Sequence, residues 1–239
     1  MLKKIGIIFK KEFSLYFNSA IAYIFIVAFL VVSAWFFMNG FFLIAQADMR
    51  NYFQLLPWIF LFFVPAVTMR LWAEERRSGT MEVLLTLPFR DVEIVVGKYL
   101  AAFAFLILTV ILSFPIPLTI MKMGSPDMGP IIGGYVGAFL LGGAYLAIGM
   151  FISSLCDNQM IAFILSVVAS FVLLIIGEPF VLQSIPDTLK PAAQYLGLSS
   201  HFQNIGKGVI DTRDVIYYFS VIFVFIYATM RKLESRLWA

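Results

Sequence analysis

The sequence is poor in charge and has one cysteine and one histidine, and each shortage limits what the protein can be. Only 13% of its 239 residues are charged and 62% are hydrophobic, whereas soluble domains carry about 25% charged and about 45–50% apolar residues. A soluble fold of this length would expose too much apolar surface, so the composition predicts a membrane protein. The lone Cys156 excludes an internal disulfide, and together with His201 it offers no metal-ligand spacing.

Sequence motifs for catalysis are absent as well. No segment matches the phosphate-binding pattern G-x-x-x-x-G-K-[ST], the nucleophile pattern G-x-S-x-G or the zinc pattern HExxH. We therefore expect no catalytic residue, no metal and no cofactor on this chain. His201 is interpreted as a polar residue of an outside loop, because the sequence shows no partner that would orient it as a base.

Charged residues are spaced so that uncharged windows of 35, 19, 23, 29, 20 and 16 residues lie between them. A helix needs about 17–25 residues to cross the hydrocarbon core. Five windows are long enough, and the last can span if the bilayer thins slightly. The sequence therefore predicts an all-α membrane protein with six transmembrane helices. Their approximate bounds are 21–44, 53–72, 95–121, 131–153, 160–177 and 215–230.

The distribution of basic residues predicts the orientation of these spans. Twelve of the 17 Lys and Arg residues fall on the side that also holds both termini. Because basic residues accumulate in cytoplasmic segments, we expect both termini to lie in the cytoplasm. The net charge of +3 is explained by this topology, and nucleic-acid binding is not expected.

Residues 2–18 form a separate element before the first span. Lysines share one face of a helical wheel, while Ile7 and Glu12 fit neither face. This pattern predicts a basic amphipathic helix in the membrane interface; the alternative is a cytoplasmic extension of the first span. The apolar face consists of Leu2, Ile5, Phe9, Phe13 and Tyr16.

The charged residues nearest to the predicted spans fall at the ends of these spans. Arg70 and Lys98 fall near span ends, where long side chains can snorkel to water. Glu178 lies between Gly177 and Pro179 at the start of an apolar outside segment, 178–213, that we predict to be partly re-entrant. Glu178 is therefore a candidate pathway or re-entrant site.

The fourth span is rich in small residues. Gly134, Ala138 and Gly142 repeat every four positions, and Gly133 and Gly137 form a GxxxG pair. Such repeats allow helices to approach closely in lipid. They indicate packing within one bundle or, alternatively, an interface between subunits.

The most charged stretch of the chain is the loop between the second and third spans. Gly79 is expected to break the helix that continues from the second span. After it, Met81, Leu84 and Leu85 follow helical spacing, and Pro88 ends the short helix. An apolar stripe amid mixed charges is typical of a docking helix; the alternative is a solvated loop lying on lipid headgroups.

Residues 73–88, which read AEERRSGTMEVLLTLP, and residues 96–100, which read VGKYL, resemble the signature of ABC-2 type transporter permeases. The resemblance implies an ABC-2 exporter (type V-like) transmembrane fold over one domain, 1–239, in the bacterial cytoplasmic (inner) membrane. It implies that 74–88 is the cytoplasmic coupling helix, and that a separate ABC ATPase subunit holds ATP and Mg. A second permease copy, or a related permease or auxiliary subunit, would complete the complex. The predicted ATPase-coupling interface consists of Glu74, Glu75, Arg76, Arg77, Gly79, Thr80, Glu82, Leu84 and Leu85.

Residues 200–202 and 207–218 further resemble the gliding-motility-associated subgroup of these permeases. The resulting hypothesis is a membrane-spanning permease subunit that forms the translocation pathway of an ATP-driven ABC transporter and couples to a separate ATPase subunit. The resemblance implies that this transporter is an exporter. One alternative is a structural or force-transmitting membrane subunit without a transported substrate. Another is a carrier or channel without an ATPase, which would need polar groups along its spans, and these are scarce here.

Overall fold

The computed structural model describes residues 1–44, 48–86, 88–124 and 126–235, and all of their side chains except those at 40–44, 82, 83 and 85. Within these ranges the chain forms helices and no strand, which confirms the all-α prediction. The helices are α1 (Leu2–Phe17), α2 (Ala20–Ile44), α3 (Arg50–Thr68), α4 (Arg70–Arg77), α5 (Thr80–Thr86), α6 (Asp91–Ile111), α7 (Pro115–Met123), α8 (Met128–Leu155), α9 (Gln159–Ile175), α10 (Pro179–Ser184), α11 (Lys190–Leu196), α12 (Leu198–Gly206) and α13 (Thr212–Glu234).

Five helical segments of the described chain are long and apolar enough to cross a membrane. α9 is apolar but shorter, with 17 residues. α9 corresponds to the predicted fifth span. Because it is shorter than the other five segments, the sixth membrane crossing stays a prediction. The five segments are Ala20–Asn39, Arg50–Arg77, Asp91–Met123, Met128–Leu155 and Thr212–Glu234.

α8 lies at the centre of the bundle and packs against α3, α6, α9, α12 and α13. Its small residues face these neighbours: Gly134 contacts Phe53, and a Cβ at Gly142 would lie 2.7 Å from Cδ1 of Leu106. Larger side chains there would push the helices apart. Of the two interpretations of the small-residue repeat, the structure therefore supports packing within one bundle.

The bundle has two ends, which differ in the chain segments they hold. At one end the N-terminal amine lies 3.8 Å from Glu93 in the first turn of α6, and Glu234 at the end of α13 interacts electrostatically with Asp91. We call this the proximal end. At the opposite, distal end, Gly133 contacts Gly208, and Gly177 contacts Gly197. Both termini of the described chain therefore lie at the proximal end.

Two prolines lie inside the second long apolar segment, ahead of a short interruption of the helix. The second span continues through Pro57 and Pro65 and is interrupted at Met69, where α4 begins. Thr68 donates its hydroxyl hydrogen to the carbonyls of Val64 and Pro65, each at 3.2 Å. The interruption at Met69 thus lies four residues after Pro65, one helical turn beyond the proline that lacks an N–H group.

Candidate functional site

Three helices meet at a buried lysine at the proximal end. The Nζ atom of Lys98 in α6 lies 2.7 Å from Oε1 of Glu75 in α4 and 3.1 Å from Oε1 of Glu12 in α1. It also lies 5.1 Å from the ring centroid of Trp72. Lys98 is only 1% exposed. We call Glu12, Glu75 and Lys98 the triad.

The triad corrects the prediction that Lys98 snorkels to water. A cation this deeply buried needs carboxylate partners, because desolvation of an unpaired charge costs several kcal/mol. Lys98 takes those partners from two other helices instead of reaching the solvent. The spans are consequently not free of buried charge at their proximal ends.

The structure also explains why Glu12 fits neither face of the helical wheel. Glu12 did not fit the polar face of the N-terminal helix, and the structure shows that it is buried on the face that contacts α6. Ile8 lies on the same face, and a Cβ at Gly97 would lie 2.7 Å from its Cγ2 atom. Leu2, assigned to the apolar face, is 86% exposed. α1 is therefore docked on the bundle through Ile8 and Glu12.

A second set of contacts fixes α4 to the end of α8. The Nη1 atom of Arg76 lies 2.8 Å from Oδ1 of Asp157, and Nη2 donates to the carbonyl of Ser154. The hydroxyl of Ser153 accepts from the N–H groups of Trp72 and Ala73, each at 3.2 Å. These amides follow the interruption at Met69, where helical acceptors are missing. Ser153 supplies the acceptor and holds α4 against α8.

The loop itself turns at Gly79, which has a φ of +68°, in the left-handed region that favours glycine. The Oγ of Ser78 accepts or donates a 2.9 Å hydrogen bond with Oγ1 of Thr80 across this turn. α5 follows and buries Met81 and Leu84 against the bundle. The apolar stripe of the loop therefore faces its own chain at these two positions.

The N-terminal end of α1 contacts the segment that follows α5. Lys4 donates from Nζ to the carbonyl of Pro88 at 2.5 Å and lies 5.8 Å from the ring centroid of Phe89. Both sides of the loop are thus attached to neighbouring elements. The loop is a fixed part of the bundle.

The residues predicted for the coupling interface divide into two groups. Arg77, Gly79 and Thr80 are exposed at the tip, and Glu74 is half-buried. Glu75, Arg76 and Leu84 turn inward and contact this chain. The side chains of Glu82 and Leu85 lie outside the described residues. Contact of any of them with an ATPase stays a prediction.

Cys156 lies beside Arg76 in the short connection between α8 and α9. It is buried, and burial raises the pKa of its thiol, although the nearby Arg76 acts in the opposite direction. A thiol in this state is a poor nucleophile at neutral pH. Cys156 is therefore a small buried residue of this connection.

Glu178 lies at the distal end, on the wall of a cavity of about 490 Å³ between α3 and α12. Ser199 donates to Oε1 of Glu178, and Nε2 of Gln203 lies 3.4 Å from the same oxygen. Arg50 and Lys207 line the cavity as well. The cavity has the size of a small-molecule site, about 300–1,000 Å³, and its polar groups converge from two helices.

His201 has orienting partners that the sequence did not reveal. Its Nδ1 lies 2.6 Å from Oδ1 of Asp214, and its Nε2 lies 2.9 Å from the carbonyl oxygen of Tyr195. The ring stacks on Tyr217 with a centroid distance of 3.9 Å. His201 lies in the segment 178–213 as predicted, but it is buried in α12 and connects that helix to α11 and α13, so the expectation of a loop residue without orienting partners is wrong.

The long apolar helices and the anchored loop define a polytopic membrane protein. The family model described as ABC-2 family transporter protein matches residues 47–230. The chain therefore belongs to the ABC-2 family, the membrane components of ABC transporters. A comparison with curated proteins found no match. The family match supports the ABC-2 resemblance and gives no support to the gliding-motility subgroup.

The residues that anchor the site were only partly visible in the sequence. The matched region includes α4, α5 and Lys98 but begins after α1. Glu12, which completes the triad, was marked in the sequence only by its poor fit to the helical wheel. Asp157 and Ser153 carried no signal, since they contact Arg76 and α4 from a distant part of the chain.

Proposed function

We propose that this chain is the permease subunit of an ATP-driven exporter in the bacterial inner membrane. Two such subunits, or this chain and a related permease, form the pathway, and a separate ABC ATPase holds ATP and Mg. The observation that supports the proposal most strongly is the loop at the proximal end. Its tip is exposed at Arg77–Thr80, while Glu75 is bound to Lys98 in α6 and Arg76 is bound to the end of α8.

An anchored loop of this kind can transmit force. The triad connects α4 to α1 and α6, and Arg76 connects it to the junction of α8 and α9. A partner that pushes on the tip therefore moves several helices together. A ligand or partner shifts a conformational equilibrium only by its difference in affinity for the two states. Arg77 and Thr80, at the exposed tip, provide the direct contacts with the ATPase, and Glu75 and Arg76 act by holding the tip in position.

The distal cavity favours a transporter over a subunit that only transmits force. Glu178, Ser199 and Gln203 form a polar group on the wall of the cavity, and the cations Arg50 and Lys207 lie nearby. A purely structural subunit has no need for such a site. We assign it to the outer part of the pathway, with Glu178 as the polar group that meets the substrate.

Six crossings, with both termini in the cytoplasm, complete the proposal. α9 begins beside Asp157 at the proximal end, and the chain after it reaches Gly197 at the distal end through Gly177. The 17 residues of α9 extend about 25 Å at about 1.5 Å per residue. This length is near the lower limit for a spanning helix. An even number of crossings also fits the position of both termini at one end.

The topology is tested by cysteine labelling in a Cys156→Ser background. Single cysteines replace Ser78 and Ser235 at the proximal end and Gln183 near the distal end, all of which are exposed. We expect a membrane-impermeant maleimide to label Gln183→Cys in intact cells. Ser78→Cys and Ser235→Cys are labelled only after permeabilisation. Labelling of the two proximal positions from opposite sides contradicts the proposal.

The ATPase contact is tested at the tip of the loop. We expect Arg77→Glu to lower both co-purification of the native ATPase and coupled transport by about 10-fold, since a charge reversal at an interface opposes binding. Folding is unaffected, because Arg77 has no partner within the described chain. Arg213→Glu, an equal reversal of an exposed arginine near the distal end, is the matched control. Equal behaviour of the two variants overturns the assignment.

A further inference from the structure

A second cavity lies at the proximal end, on the side of the triad that faces the turn between α1 and α2. Its volume is about 370 Å³, within the range of about 300–1,000 Å³ typical of small-molecule sites. One wall is apolar and includes Ala22, Phe25 and Val67. The other wall is charged and is formed by Glu12, Arg70, Glu74, Glu75 and Lys98.

Several polar groups on the charged wall are not used within the described chain. The side chains of Arg70 and Glu74 make no hydrogen bond and no ion pair with the described part of the chain. Oε2 of Glu75 is buried without a hydrogen-bond donor, since Lys98 is bound by the other oxygen, Oε1. Buried carboxylate oxygens are normally satisfied, and an unsatisfied one is costly. The cavity thus offers the guanidinium of Arg70, the carboxylate of Glu74 and one unsatisfied oxygen of Glu75, Oε2.

These groups specify the chemistry of a ligand. The guanidinium of Arg70 suits a phosphate, which it can bind through two N–H groups. Glu75 and Glu74 need a donor, and a primary ammonium has three. Three carboxylates and two cations line the cavity, so it disfavours a ligand with net negative charge. The apolar wall suits a hydrocarbon chain.

We propose that this cavity binds the headgroup of a phospholipid with a primary amine. The phosphate lies against Arg70, the ammonium donates to Glu75 and Glu74, and the acyl chains follow the apolar wall between α2 and α3. The cavity adjoins Asn18 and Ser19, where the amphipathic α1 meets the first long apolar helix. That junction is the depth at which headgroups are expected. The site does not depend on the proposed ATPase partner.

The proposal is tested with the full-length protein, in detergent, by native mass spectrometry. Phosphatidylethanolamine competes against phosphatidylcholine and, separately, against phosphatidylglycerol of the same acyl chains. We expect about 10-fold preference for phosphatidylethanolamine over both, because a quaternary ammonium has no N–H donor and a glycerol headgroup leaves the lipid anionic.

Variants separate the two halves of the headgroup. Arg70→Gln lowers retention of phosphatidylethanolamine by about 10-fold, whereas Glu74→Gln chiefly reduces its preference over phosphatidylcholine. Arg77→Gln, on the same helix but outside the cavity, is the control. A thermal melt confirms that each variant is folded. Equal retention of the three lipids, or retention by Arg70→Gln equal to that of Arg77→Gln, overturns the proposal.

Discussion

Replacing Lys98 by methionine is expected to lower the free energy of unfolding by about 3–5 kcal/mol, the usual cost of removing one member of a buried ion pair. The substitution keeps the volume of the stem but leaves the carboxylates of Glu12 and Glu75 close together without a cation. Coupled transport is lost with it, since α1, α4 and α6 no longer move as a unit. The measurement is unfolding of the purified protein in a denaturing-detergent titration, together with transport in vesicles.

The control for this variant is Lys10→Met, which removes an exposed lysine from α1. Exposed charges contribute about 0–1 kcal/mol, so little change is expected. A triple variant that combines Lys98→Met with Glu12→Gln and Glu75→Gln recovers most of the lost stability, because no buried charge remains. A single Lys98→Met variant as stable as Lys10→Met contradicts the role of the triad.

The second large effect is expected for Arg76→Ala, which removes the contacts that its guanidinium makes between α4 and the junction of α8 and α9. It removes the ion pair with Asp157 and leaves the carbonyl of Ser154 without its donor. We expect a loss of about 1–3 kcal/mol in the free energy of unfolding. Transport-coupled ATP hydrolysis falls by about 10-fold or more, since 1.4 kcal/mol corresponds to a factor of ten. ATPase binding is retained, because Arg76 is not at the exposed tip.

A comparison with Asp157→Ala identifies which contact matters. Asp157 is 79% exposed, so its ion pair is screened by water and contributes about 0–1 kcal/mol. We therefore expect Asp157→Ala to be clearly milder than Arg76→Ala in both measurements. Equal losses in the two variants would assign the effect to the ion pair and not to the Ser154 carbonyl.

The helical course of the chain was predictable because it follows from local rules. Uncharged windows must be helical in lipid, where every backbone polar group needs an internal partner. The predicted spans accordingly correspond to α2, α3 with the start of α4, α6 with α7, α8, α9 and α13. Gly79 and Pro88 bounded the loop helix for equally local reasons, left-handed backbone and the missing N–H of proline.

The inward contacts of the charged residues were not predictable, since they join distant parts of the chain. Snorkelling was a reasonable expectation for Lys98 from its place near a span end, yet its partners come from α1 and α4. His201 showed no partner along the sequence because Asp214 approaches it only when α12 packs beside α13. Neither pairing leaves a spacing pattern that one sequence can reveal.

The sequence by itself therefore determined that this is an all-helical membrane protein with a charged loop between its second and third spans. Hydrophobicity and charge spacing carry that information residue by residue. Only the tertiary structure decided which charged residues of the loop bind other helices of the same chain and which remain exposed for a partner. That division depends on how α1, α4, α6 and α8 pack, because a buried charge is tolerated only where a partner from another helix reaches it.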